Sequence, residues 1–125
     1  AKDSDFTKMH MRGLADPASL DATQRVRFTW IMTEMFSSWE YMFYQAEQGN
    51  LDQQIWQRWK ETIKWWLTFP GTIAFWRGKP TPYGTDYSEF IERSIRDGYH
   101  PESPGAWEAF LSTGNPRTVK GAVQS

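Results

Sequence analysis

The chain contains no cysteine and only two histidines, His10 and His100. The first absence excludes disulfides, thiolate chemistry and cysteine-based zinc or iron–sulfur sites, and it leaves the redox compartment unreadable. Two histidines, neither in a triad-like setting, leave little room for serine–histidine chemistry. No apolar run approaches the ~18 residues of a membrane-spanning helix, and the N-terminal stretch is too polar for a signal-peptide core. Gly-x-Ser-x-Gly, a P-loop, a Gly-x-Gly-x-x-Gly turn and a His-Glu-x-x-His helix are all missing. So is an excess of charge: 14 basic against 15 acidic residues give a formal net charge of −1. No overall positive field is there to hold nucleic acid through its phosphates. The local basic residues Arg25, Arg27, Arg58, Lys60 and Lys64 are interleaved with acids and read as a solvated face. No catalytic residue, cofactor or nucleic-acid partner is expected.

What the chain has in abundance is aromatic surface. It carries 8 Trp, 8 Phe and 5 Tyr, and Trp30, Trp39, Trp56, Trp59, Trp65, Trp66 and Trp76 crowd into its middle. Such side chains bury roughly 150 to 250 Å² each and dominate both cores and interfaces. At 125 residues the chain is long enough to bury a core in one domain. The question is which aromatics build that core and which face a partner.

Periodicity points to an all-α fold. Residues 21–48 are free of Gly and Pro, open at Asp21 with Gln24 three positions on, and stop at Gly49, which predicts one long helix. At about 100° per residue, Phe28, Met32, Met35, Trp39, Phe43 and Ala46 share a stripe. Asp52 opens a second helix over about 52–68, with Ile55, Trp56, Trp59, Ile63, Trp66 and Leu67 on its apolar face and Pro70 bounding it. The short connection makes the two an antiparallel hairpin. Shorter helices are predicted at about 71–77, at about 86–97 from a capping-box-like Asp86 and Glu89, and at about 103–111 with Trp107, Phe110 and Leu111 on one side. A short N-terminal helix capped by Ser4 or Asp5 carries Phe6 and Met9 and is limited by Gly13 and Pro17. One domain over 1–114 and a loose tail over 115–125 complete the expectation.

Few constellations suggest chemistry. Met9-His10-Met11 offers the thioether and imidazole that copper(I) accepts, but successive residues of a helix point in different directions, and no metal site is expected. Glu34, Glu40 and Glu47 line the long helix without the Glu-x-x-His pairs of a di-iron bundle. Glu40 sits at the edge of the apolar stripe, where an ion pair with Arg58 or Arg77 is expected; a buried general acid is the alternative.

The aromatics off the stripe are more informative. Counted from Phe28, Tyr44 falls at about 160°, Trp30 at about 200° and Tyr41 at about 220°, nearly opposite the core side, and Trp65 lies away from the face of the second helix. Such residues must be covered by the N-terminal segment and the later helices, by a second copy or protein partner, or by a small ligand.

In order along the chain, Arg25-Val-Arg-Phe28, Phe36, Glu40, Tyr44-Gln45, Gly49-Asn-Leu-Asp52, Trp56, Pro70-Gly71, Trp76, Tyr87 and Phe90-Ile91 resemble a family of small all-helical bacterial proteins. In that family a domain of this size commonly follows an N-terminal membrane anchor and no reaction is established. The resemblance covers about residues 18–97. It implies an anchor upstream of Ala1 and a soluble domain beside a membrane, with the compartment left open. The expected function is a noncatalytic protein-interaction domain, membrane-tethered in the full-length protein, with Trp30, Tyr41, Tyr44 and Trp65 on its partner or ligand surface. The alternative is a small-molecule binding protein or cryptic enzyme whose aromatic pocket is bordered by Glu40 or Arg77.

Overall fold

The computed structural model describes residues 2–100, and among them the chain is all-helical. Five helices follow in order: α1 (Lys2–Ala15), a 3-10 turn (Pro17–Ser19), α2 (Ala22–Glu47), α3 (Gln53–Trp66), α4 (Pro70–Gly78) and α5 (Thr85–Asp97). The predicted helix over 103–111 and the tail over 115–125 lie outside the described residues.

The ends of α2 are set by local chemistry. Gln24 N–H donates to Asp21 Oδ1 (2.9 Å) and Asp21 N–H donates to Gln24 Oε1 (3.0 Å), a reciprocal capping box. At the other end Gly49 N–H donates to the Ala46 carbonyl and Asn50 N–H to that of Gln45. Gly49 adopts φ 78°, completing the left-handed closure that satisfies the last carbonyls of a helix. Asp52 caps α3 by accepting from Gln54 and Ile55 N–H, and Pro70 occupies the first turn of α4, where its missing N–H costs nothing.

Two predicted boundaries are corrected. α1 runs for 14 residues through Gly13 rather than stopping there, because a glycine is what lets α1 approach its neighbours. A Cβ on Gly13 would lie 2.6 Å from the Phe28 ring, and one on Gly71 would lie 2.0 Å from the Gly13 carbonyl oxygen. α1 and α4 therefore cross at backbone contact. The Asp86–Glu89 capping box is not formed either. Gly84 is the N-cap of α5, without a side-chain cap, and a residue of α2 takes over that role.

The helices share one core. α2 contributes Phe28, Met32, Phe36, Trp39 and Phe43, against Trp56, Ile63 and Leu67 of α3 and its C-cap, Phe75 and Trp76 of α4, Tyr87, Phe90 and Ile91 of α5, and Met9 and Leu14 of α1. Phe43 meets Trp56 at 6.3 Å, while His10 of α1 touches both Phe28 (5.8 Å) and Trp66 (6.4 Å). The start of α3 thus lies by the end of α2, and the end of α3 reaches the start of α2 through α1: the pair runs antiparallel, with α1 across its open end. Phe36, about 80° from Phe28 by helical count, is fully buried because α4 and α5 cover that flank; its ring stacks on Trp76 at 5.4 Å.

Trp59 and Ile55 depart from the expected core. Each is 39% exposed. The covered seam of α3 is narrow, running through Trp56, Ile63 and Leu67, and its flank stands beyond the reach of α2 and α5.

Candidate functional site

α2 is about 39 Å long at 1.5 Å per residue, and its inward and outward faces have different fates. The inward face is the core. On the outward face, Trp30 is 72% exposed, Tyr41 67% and Val26 56%. Trp30 and Tyr41 are eleven residues apart, about three helical turns, so they stand on one line with the small side chains Thr33 and Ser37 between them. All four are solvent-facing. Arg27 and Glu34 flank the same line, both exposed, and among the described residues neither has an ion-pair partner.

The other two sequence-predicted site residues are held inside the molecule. Tyr44 is half-buried, edge-on to Phe43 at 5.1 Å, with its hydroxyl in the space a Cβ at position 84 would take. Trp65 is half-buried against Trp66 and Phe69, each at 5.0 Å between ring centroids. α5 and the end of α3 therefore cover part of the second aromatic set and leave Trp30 and Tyr41 bare.

Glu40 and Arg77 do not meet, and the expected ion pair between them, or between Glu40 and Arg58, is absent. Glu40 Oε2 accepts from Gly84 N–H at 2.8 Å, acting as a cap for α5 supplied from α2. One turn away, the Tyr87 hydroxyl donates to the Phe36 carbonyl at 2.7 Å. Burial pushes the Tyr87 hydroxyl pKa up, and the nearby Tyr83 and Glu40 push it the same way, so it serves as a fixed donor. Arg77 leaves α4 toward α5, where its Nη1 donates to both carboxylate oxygens of Glu92 (2.5 and 2.8 Å). Trp76 Nε1 also donates to Glu92 at 2.9 Å. That indole hydrogen bond is the largest influence on the Glu92 carboxyl and lowers its pKa; burial opposes it, and the hydrogen bond and charge of Arg77 with the charge of Lys79 complete the lowering.

Comparison with protein-family models, with curated proteins and with solved structures finds no match to this chain. The surface itself therefore carries the functional argument. Among the described residues, no group of three His, Asp or Glu is placed to hold a metal ion. His10 is packed between aromatic rings, its Nδ1 buried without a partner, and burial lowers its pKa. This arrangement favours a neutral packing residue.

Sequence reasoning missed Phe6, 45% exposed on α1. With Asp5, Met9, Asp21, Thr23, Gln24 and Arg27 it lines a groove of about 420 Å³ between α1 and the start of α2. Phe6 lies three residues before Met9 and reads as core by spacing alone; the packing of α1 against α2 leaves it at the groove that Thr23 and Arg27 also line.

Proposed function

We propose that this chain is a noncatalytic helical interaction domain that binds protein through the outward face of α2. One observation carries the reading: Trp30 and Tyr41 are both more than two-thirds exposed on one line of the longest helix, while Trp39, Trp76 and Tyr87 are almost wholly buried. Exposed Trp and Tyr on one helix face are apt anchors, since Trp, Tyr and Arg are the residues that dominate interface energetics. Burying a large apolar side chain is worth roughly 1.5 to 3 kcal/mol, so this pair can anchor a partner. Among the described residues no helix is long and apolar enough to cross a membrane. Placement of the face beside a membrane, on a tethered domain, is part of this proposal and rests on the sequence resemblance alone.

The test is site-specific photocrosslinking in cells, with a benzophenone amino acid at Ser37 and a control at Glu89 on α5. A discrete protein adduct from Ser37, lost on Trp30→Ala and absent from the control, is expected. No adduct from Ser37 would overturn the reading.

A second reading, a small-molecule site, is favoured by a cleft of about 490 Å³ lined by Tyr83, Lys79, Arg93, Arg96 and Glu92. Lys79 Nζ is held over the buried Trp76 ring, 3.7 Å from its centroid, and with Arg93 and Arg96 it gives the cleft a positive rim suited to an anionic ligand. A ligand there must raise the melting temperature by mass action. A metabolite screen that moves neither melting nor tryptophan fluorescence removes this second reading.

A further inference from the structure

Resting on the interaction face argued above, we propose that its occupant is a second copy of this chain. The copy docks antiparallel about a two-fold axis at the level of Met32, with Tyr41 of each copy seated in the α1–α2 groove of the other.

Spacing is the first argument. Thr23 and Tyr41 stand nine residues either side of Met32, about 13.5 Å along the helix, and by count both fall within about 20° of Trp30. A two-fold axis perpendicular to α2 therefore sets each Tyr41 beside the other copy's Thr23. Thr23 lines the groove of about 420 Å³ whose apolar side chains are Phe6 and Met9. The exposed hydrophobics of this side, Phe6, Val26, Trp30 and Tyr41, all become covered by one operation. Near the axis the outward residues are Trp30, the small Thr33 and Glu34; the two indoles meet across the axis and Thr33 leaves room beside them.

Charge is the second argument, and it fixes direction. The basic residues of α2, Arg25 and Arg27, lie in its first third; its acids, Glu34, Glu40 and Glu47, follow. The first turn holds no acid and the last turn no base, so the pattern runs against the helix dipole and gains nothing from it. Arg27 and Glu34 are about 10.5 Å apart along the axis, too far to pair within one copy. In the antiparallel arrangement Arg27 falls within one turn of the other copy's Glu34, and the two-fold axis makes that contact twice. A parallel copy would set like charge against like.

Sedimentation equilibrium of the 125-residue chain at low salt tests this. A monomer–dimer equilibrium with a dissociation constant on the order of 10 µM is expected, as for small transient interfaces. Trp30→Ala and Tyr41→Ala should each weaken it about tenfold or more. Arg27→Glu and Glu34→Arg should each weaken it about tenfold at low salt and less at high salt. The double variant Arg27→Glu/Glu34→Arg should regain wild-type affinity. Circular dichroism should stay unchanged throughout, and so should melting measured well below the dissociation constant, since every altered side chain is exposed; above it, the variants that weaken the dimer should melt lower by mass action.

A chain that is monomeric across the accessible concentrations, or a dimer whose double variant does not recover, overturns the proposal. A monomer that still gives the Ser37 adduct with another protein removes self-docking and keeps the interaction face. A monomer with no adduct removes both.

Discussion

Gly71→Ala drives a methyl group into the backbone of α1. The new Cβ would lie 2.0 Å from the Gly13 carbonyl oxygen and 2.8 Å from Leu14 Cα. Bringing the closest contact out to 3.4 Å requires α1 and α4 to separate by about 1.4 Å, because neither partner is a side chain that can rotate away. Separation loosens Met9 and Leu14 against the core. Overpacking costs typically 1 to 3 kcal/mol, and a backbone collision belongs at the upper end. After the gain of up to about 1 kcal/mol that alanine brings to a helix, a net loss of about 2 kcal/mol remains, a fall in melting temperature on the order of 10 °C. Gly13→Ala meets Phe28 and Leu20 side chains at 2.6 to 3.0 Å; these can shift in part, and a net loss of about 1 kcal/mol is expected. Gly78→Ala meets nothing within 4 Å and should be neutral or slightly stabilising. Urea denaturation followed by circular dichroism ranks the three. If Gly71→Ala unfolds at the same midpoint as Gly78→Ala, the backbone crossing of α1 and α4 is wrong.

Other expectations follow from the joint between α2 and α5. Glu40→Ala leaves Gly84 N–H without its carboxylate acceptor and should cost about 1.5 kcal/mol, with hydrogen exchange rising first at the start of α5. Tyr87→Phe removes a buried hydrogen bond to a carbonyl 51 residues away and should cost about 1 kcal/mol in the same denaturation assay. His10, whose folded pKa lies below the ordinary 6.5 because of burial, binds its proton more readily when the chain unfolds. Its contribution is therefore fully present above about pH 6.5 and is lost as pH falls through the window down to the lowered folded value. His10→Phe should flatten melting temperature against pH across that window; an unchanged slope would exclude His10 as its source.

The elements whose limits are local were legible in the sequence. The Asp21–Gln24 pair, the Gly49 closure, Asp52 and Pro70 each act through backbone groups a few residues away, so spacing sufficed to place α2, α3 and α4. Where a boundary depends on distant chain, spacing failed. Gly13 reads as a helix stop, yet it is a contact point for α4; Asp86 reads as a cap, yet Glu40, 44 residues from Gly84, supplies the acceptor. Trp59 has the period of a core residue and is left exposed because the cover over α3 is narrow.

The abundance of aromatics off the core stripe was also legible, since helical count alone sets Trp30, Tyr41 and Tyr44 opposite Phe28. Which of them stays bare was not. The sequence by itself determined an all-helical chain with a doubly aromatic long helix, because periodicity and capping are short-range. Only the tertiary structure decided that α5 claims Tyr44 through Gly84, that Phe69 and Trp66 claim Trp65, and that Trp30 and Tyr41 remain exposed. Burial is a property of what packs against a residue, and the packing partners lie far along the chain.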